Sequence, residues 1–360
     1  IIAKEENQDE ACYRQFYEEA ISLCRKKLFH EVLEKCRYTS LDDEEEYSID
    51  VIQPEKIEFK QNSYEDGENS IISFPEFLLL VLDVCTGGEQ PASHYQPDKL
   101  IEKFDALKTH FTAGEFYEKM LYYRLLLDYY TIRRDIKDGQ GNYSLILKGP
   151  KDDNDKLKQY QSMLYVSTEA FYNWLKPYLR KLEQDELQSC AEMLAFLKKE
   201  DNERHGVLPA RKDLSYKASG NIRYWFWRLD YYLWEQRSTF FNEEEQKIVE
   251  HYVFRRNRSI EHLHPQDESH NEEWEEEAVH SFGNLAMISQ SFNSQQSNDH
   301  IQIKFARIHE QISNKSLQSI KMFLMCKLAD FNYQNWTMKL AKEHENEMIE
   351  FLERSFYISD

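Results

Sequence analysis

With 360 residues, 41% of them hydrophobic, the chain can bury a sizeable core and is expected to hold two or three subdomains. Ten glycines and eight prolines favour long helices over a sandwich or barrel, and the longest apolar stretch, residues 74 to 82, falls short of the roughly 18 residues of a membrane helix. No signal peptide opens the chain, so a cytoplasmic location with no membrane partner is expected, while a formal net charge of −20 would repel nucleic acid at long range unless the acids lie away from the binding face.

In chain order, residues 9 to 37 read as a helix carrying Tyr13, Tyr17, Ala20, Ile21, Cys24 and Leu28 on one face. Two acidic runs, residues 41 to 46 and 65 to 68, follow as solvated loops. Ser73-Phe74-Pro75-Glu76 has the form of a helix start with proline in its first turn. Residues 97 to 130 predict a helix or helix pair. Alternating runs at 130 to 136 and 143 to 148 flank Asp138-Gly139-Gln140-Gly141-Asn142 and read as a hairpin. An acidic linker at 152 to 155 precedes helical sequence from 157 to 200, and a loop over 206 to 220 leads to an aromatic helix, 221 to 237. Its aromatics occur all around the helix, which indicates core packing rather than base stacking. Strands are expected at 259 to 264 and 285 to 289, a short helix at 292 to 297, and closing helices at 315 to 330 and 334 to 355. The fold class is therefore mainly α: helical bundle subdomains with a small hairpin and an inserted ββα module. The expected domains are 1–155, 156–244, 245–312 for the module, and 313–360. Cys12, Cys24, Cys36, Cys85, Cys190 and Cys326 are dispersed, with no Cys-x-x-Cys pair, and read as reduced core thiols.

The chemistry concentrates in residues 260 to 304. Ile260-Glu261-His262-Leu263-His264-Pro265-Gln266 is followed by Gly283-Asn284-Leu285, then Asn293, Asn298 and Lys304. A phosphodiester resists attack because its oxygens are anionic and its alkoxide leaves poorly, so a divalent cation beside the scissile phosphate and a general base are both needed. Glu261 and the side-chain carbonyl of Asn293 are hard oxygen ligands suited to Mg²⁺ or Mn²⁺, and Mg²⁺ is commonly held by one or two carboxylates with water and substrate phosphate completing the shell. His262 follows Glu261 on a strand, so its ring leaves by the opposite face and serves as the general base, a role that suits an imidazole titrating near neutrality. Asn284 joins the catalytic set by bridging the backbone of the loop between the strands and so holding His262. His264, Asn298 and Lys304 are expected on the substrate side, with Arg258, beside Arg255 and Arg256, contributing to a basic rim. Residues 272 to 277, five glutamates around Trp274, oppose that rim if they line the groove.

Seven of the twelve histidines lie between residues 251 and 309. No cysteine joins them at the short spacings of a structural zinc site, so zinc is not expected.

The residues Glu261 to Gln266, Gly283-Asn284-Leu285, Asn293 and Lys304 resemble the HNH (ββα-metal) nucleases, and more narrowly the nuclease half of modification-dependent, type IV restriction enzymes of the GmrSD kind. Trp336, His344, Met348 and Leu352 fall where that family has a closing helix, and residues 221 to 230 are similar to the aromatic helix preceding its nuclease. The resemblance implies a metal-dependent DNA endonuclease of phage defence acting on DNA, base-modified DNA included. Full-length members carry an N-terminal nucleotide-dependent domain with an Asp-Gly-Gln-Gln-Arg signature; here Asp138-Gly139-Gln140 lacks its second half, so that domain is expected on a missing N-terminal portion or a partner subunit. A catalytically inactive DNA-sensing or scaffold module, or an RNase using the same site, are the alternatives.

Overall fold

The computed structural model describes residues 9–38, 67–136, 143–150, 154–167, 170–256, 258–265, 274–289 and 301–357. They form a mainly helical protein with two small antiparallel sheets, divided into two units. Among the described residues no helix is long and apolar enough to cross a membrane.

The first unit runs through residue 154 and takes in 171–190. It contains α1 (Asp9–Arg25), α2 (Phe29–Tyr38), β1 (Gly67–Ser70), α3 (Phe74–Cys85), α4 (Leu100–Leu107), α5 (Ala113–Tyr130), β2 (Arg133–Ile136) and β3 (Tyr143–Ile146). The expected single helix over 9 to 37 is broken in two. Lys27 sits at φ 59°, and the amides of Lys27 and Leu28 reach back to the carbonyls of Cys24 and Leu23, the left-handed ending that stops a helix. By contrast α3 starts where Ser73 indicates, with a reciprocal Ser73–Glu76 capping box and Pro75 in the first turn, and α5 starts on the same device at Thr112 and Glu115. Each such cap contributes about 1 kcal/mol. The hairpin forms between β2 and β3, and β1 extends it into a three-stranded sheet; the turn at 138 to 142 lies outside the described residues.

The second unit takes up residues 155–170 and 191 onward. The chain enters it with α6 (Asp155–Val166), leaves for α7 (Phe171–Glu183) of the first unit, and returns with α8 (Cys190–His205). Then come α9 (Arg223–Glu235), α10 (Arg237–Phe240), α11 (Glu243–Glu250), β4 (Arg258–His262), α12 (Glu276–Val279), β5 (Leu285–Ser289), α13 (Ile301–Ser313), α14 (Ile320–Leu328) and α15 (Met338–Arg354). The expected helix at 292 to 297 lies outside the described residues.

Helix α9 is the axis of this unit. Every residue from Tyr224 to Trp234 is buried, because α6, α14, α15 and β5 all pack on it, which is what an aromatic helix without a polar stripe requires. Its two buried charges are satisfied. Arg228 bonds Asp201 Oδ2 at 3.1 Å, Asn202 Oδ1 at 2.7 Å and the hydroxyl and carbonyl of Ser355 at 2.9 and 3.2 Å. Asp230 accepts from the amide of Lys321 at 2.8 Å and the hydroxyl of Tyr252 at 3.1 Å. Removing either partner of the buried Arg228–Asp201 pair costs about 3–5 kcal/mol.

Candidate active site

Strands β4 and β5 pair antiparallel with Glu261 opposite Ala286 and His262 opposite Leu285. Successive residues of a strand face opposite sides, so Glu261 and His262 diverge. On one side, Lys304 of α13 places its Nζ 2.5 Å from Glu261 Oε1 and 2.6 Å from the carbonyl oxygen of His262. All three residues are buried. The ammonium neutralises the carboxylate and ties α13 to the end of β4.

On the other side, His262 Nε2 lies 3.0 Å from Nδ1 of His280. The half-exposed ring of Tyr216 covers both imidazoles, edge-on to His262 with centroids 4.5 Å apart and parallel to His280 at 5.7 Å. Its amide donates to the His280 carbonyl at 3.0 Å. Burial, then the neighbouring His280, then the Lys304 cation push the His262 pKa down to about 3. The ring is therefore neutral at physiological pH, well below the near-neutral titration expected of it. Burial and the Lys217 cation also lower His280.

Asn284 is fully buried at the short helical turn Phe282–Asn284 that starts β5. Its Nδ2 donates to the carbonyls of His264 and Val279, both at 2.9 Å, and its Oδ1 accepts from the amide of His264 at 2.8 Å and from Trp336 Nε1 at 3.1 Å. Two donors and two acceptor sites are the whole capacity of a side-chain amide, and all four are used. The chain following His262 is thereby fixed to the start of β5 and to the turn before α15. Gly283 is required beside it: a Cβ there would run into the Ala341 carbonyl oxygen and approach Glu345 Cβ to 2.8 Å. The buried ring of His264 stacks on Trp274, centroids 4.0 Å apart and 4° from parallel.

Under this turn Lys321 of α14, fully buried, donates to the carbonyls of Phe282 at 2.9 Å and Leu285 at 2.7 Å. Burial pulls its pKa down to about 7.

Glu261, His262, His264, Asn284 and Lys304 thus gather at one end of the β4–β5 ribbon. Lys304 faces inward onto Glu261. Asn293 and Asn298 lie outside the described residues, as does the side chain of Arg258, whose backbone opens β4. Arg256 is turned to the carbonyl of Tyr165 and lies over its ring at 4.0 Å. Glu275, Glu276 and Glu277 are exposed. Tyr216, His280 and Lys321 belong to the site although their residue types do not announce it in the sequence. Lys321 could have been found as the one charge inside the apolar run 320 to 326, and His280 as the imidazole four residues before Asn284.

Among the described residues no group of three or more His, Cys, Asp or Glu side chains is placed to hold a metal ion. What the site offers is one buried carboxylate, Glu261, a hard anionic oxygen of the class Mg²⁺ and Mn²⁺ take. The donor chemistry fits such an ion, which would have to share or displace the Lys304 ammonium.

Residues 209–351 match the family model of the GmrSD restriction endonucleases, C-terminal domain, so this stretch, which holds the whole constellation above, is similar to the C-terminal domain of those enzymes. No curated protein and no solved structure matches the chain.

Proposed function

We propose that this C-terminal domain of a GmrSD-like restriction endonuclease is an HNH-type, ββα-metal nuclease that hydrolyses phosphodiester bonds of DNA, base-modified DNA included, as part of phage defence. The observation carrying the proposal is the placement of Glu261 and His262 on the two faces of one end of the β4–β5 ribbon, with Lys304 bonded to Glu261 and Asn284 bonded to the chain just after His262, inside the family-matched stretch.

In this reading Glu261, with Asn293, holds Mg²⁺ or Mn²⁺, which supplies neutralisation of charge at the scissile phosphate. His262 takes the proton of the attacking water. Its neutral ring is in the required form, and the approach of an anionic phosphate raises its basicity from the depressed value by direct attraction. Asn284 keeps the loop after His262 from moving, so that the imidazole stays aligned. The Lys304 ammonium, 2.6 Å from the His262 carbonyl, adds positive charge at the same end of the strand. His264, Asn298 and Arg258 complete the substrate side. The nucleotide-dependent function of the family would come from a further N-terminal portion or a partner subunit, and the compartment would be the cytoplasm.

The test is incubation of the protein with Mg²⁺ or Mn²⁺ on modified and unmodified duplexes, beside His262→Ala. Metal-dependent nicking lost in the variant is expected, and nicking that survives it refutes the assigned base. A second reading, a DNA-sensing module without turnover, is favoured by the capping of Glu261 by Lys304; binding of duplex with no cleavage of DNA or RNA under any divalent ion would select it.

A further inference from the structure

We propose that Lys304 is a resident competitor of the cation site: its ammonium fills the place between the Glu261 carboxylate and the His262 main-chain oxygen where a divalent ion would be held, and such an ion binds by displacing it. The inference rests on the metal-dependent reading above.

Two oxygens of different origin meet one cation here. Glu261 Oε1 lies 2.5 Å and the main-chain oxygen of His262 2.6 Å from Lys304 Nζ. A carboxylate and a backbone carbonyl are donor types from which sites for hard divalent ions are assembled, so the His262 carbonyl joins Glu261 as an oxygen that a reading of side chains alone leaves out. All three residues are buried. An ammonium and a divalent ion cannot both use this pair. An ion bound to Glu261 Oε1 at the roughly 2.1 Å of Mg²⁺ would stand within about 5 Å of an Nζ still hydrogen bonded to that oxygen, and like charges so close repel strongly where water does not screen them.

The helix that carries the ammonium holds it in place. On α13, Ile301, Phe305 and Ile308 share the buried face with Lys304, and they pack in one apolar cluster with Leu263, Ala286 and Ile288. The helix backbone is thereby fixed to the ribbon, and displacement falls to the flexible four-carbon stem of the lysine. Once drawn off Glu261, the ammonium must reach water or another anion, because a charge left buried and unpaired is costly. The consequence is a threshold. Glu261 stays neutralised until a divalent ion is concentrated enough to outcompete a partner tethered to the same chain, whose effective concentration is high.

Lys304→Met removes the competitor and keeps an apolar stem on the buried face of α13. Titration of Mn²⁺ without DNA, with the free ion followed by electron paramagnetic resonance, gives the affinity. The variant is expected to bind Mn²⁺ tighter than wild type by roughly 10- to 100-fold, the span over which groups around the ligands tune metal sites. A lysine that does no more than tie α13 to β4 leaves the affinity unchanged, or lowers it as the fold loosens. Because the variant loses a buried pair and its folding is at stake, the wild type carries a second measurement. Acetylation of Lys304 by an amine-reactive ester, read by peptide mass spectrometry, is expected to be slow without Mn²⁺ and several-fold faster with Mn²⁺ at saturation. Equal affinities in folded wild type and variant, or a Mn²⁺-loaded wild type in which Lys304 stays shielded, overturn the proposal and leave the hydrolytic reading to the nicking assay. If neither protein binds Mn²⁺, the metal-dependent reading and this inference fall together.

Discussion

Asn284→Asp changes one atom of the side chain and inverts what it offers. The carboxylate keeps the acceptor that serves the His264 amide and Trp336 Nε1 but removes both bonds that Nδ2 donates to the carbonyls of His264 and Val279. Each buried carbonyl left without its donor costs about 1–3 kcal/mol, so the loss is about 2–6 kcal/mol before the burial of a charge is counted. Burial beside two carbonyl oxygens raises the carboxyl pKa in the folded state above its unfolded value of about 3.9. The folded variant then binds more protons than the unfolded chain, so its deficit shrinks as pH falls, by up to about 1.4 kcal/mol per unit within the window between the two pKa values; a protonated carboxyl regains one donor. Urea denaturation followed by tryptophan fluorescence at pH 5, 6, 7 and 8, with wild type subtracted at each pH, measures both quantities. A variant within about 1 kcal/mol of wild type at pH 8, or a deficit that does not narrow on acidification, refutes the account of Asn284 as a fully used four-bond bridge.

Lys304→Met leaves the buried Glu261 without its cation and should cost about 3–5 kcal/mol, whereas Lys304→Met combined with Glu261→Gln should cost much less than the sum of the single losses. Thermal or urea unfolding of the four proteins gives the coupling, and one below about 0.5 kcal/mol excludes the pair as what holds α13 to β4. The wild type should lose stability as pH falls from about 6.5, the unfolded value of histidine, toward 3: burial depresses His262 to about 3 and lowers His280 and His344 too, so the unfolded chain takes up protons first. His344 is buried, and neither ring nitrogen has a hydrogen-bond partner among the described residues; His344→Phe should therefore raise stability at pH 7 by about 1–2 kcal/mol and flatten the acid slope, and an unchanged slope removes His344 from that explanation.

Several elements were written locally. The unbroken apolar run 285 to 288 is β5, the capping boxes at Ser73 and Thr112 start α3 and α5, and Gly283 before Asn284 marks the turn that carries the bridging amide. The charge of Lys304 suggests a substrate-side group, and its spacing places it elsewhere. With Ile301, Phe305 and Ile308 it lies on the buried face of α13, so an amphipathic reading places its ammonium inside and demands a partner, which is Glu261. The same holds for His344, which shares its face with Ala341 and Met348. His280 is marked in the sequence only by its place four residues before Asn284, not by helical spacing. Nothing in its local sequence names His262 as its partner; the end of α12 meets the end of β4 only in the folded chain. The break at Lys27 was hidden because lysine has no sequence preference for the left-handed conformation it adopts there.

The route of the backbone through α6, α7 and α8 bears on how the family-matched region can be prepared by itself. An excised piece cut to residues 209–351 would strip α6 and α8 from around α9 and delete Ser355. Arg228 would then face an apolar interior stripped of Asp201, Asn202 and Ser355, and Tyr252 would surrender the bond its carbonyl accepts from Gln159. The stretch that homology delimits is thus smaller than the stretch that satisfies the buried groups of α9, and expression of the former should yield aggregate where the intact chain yields protein.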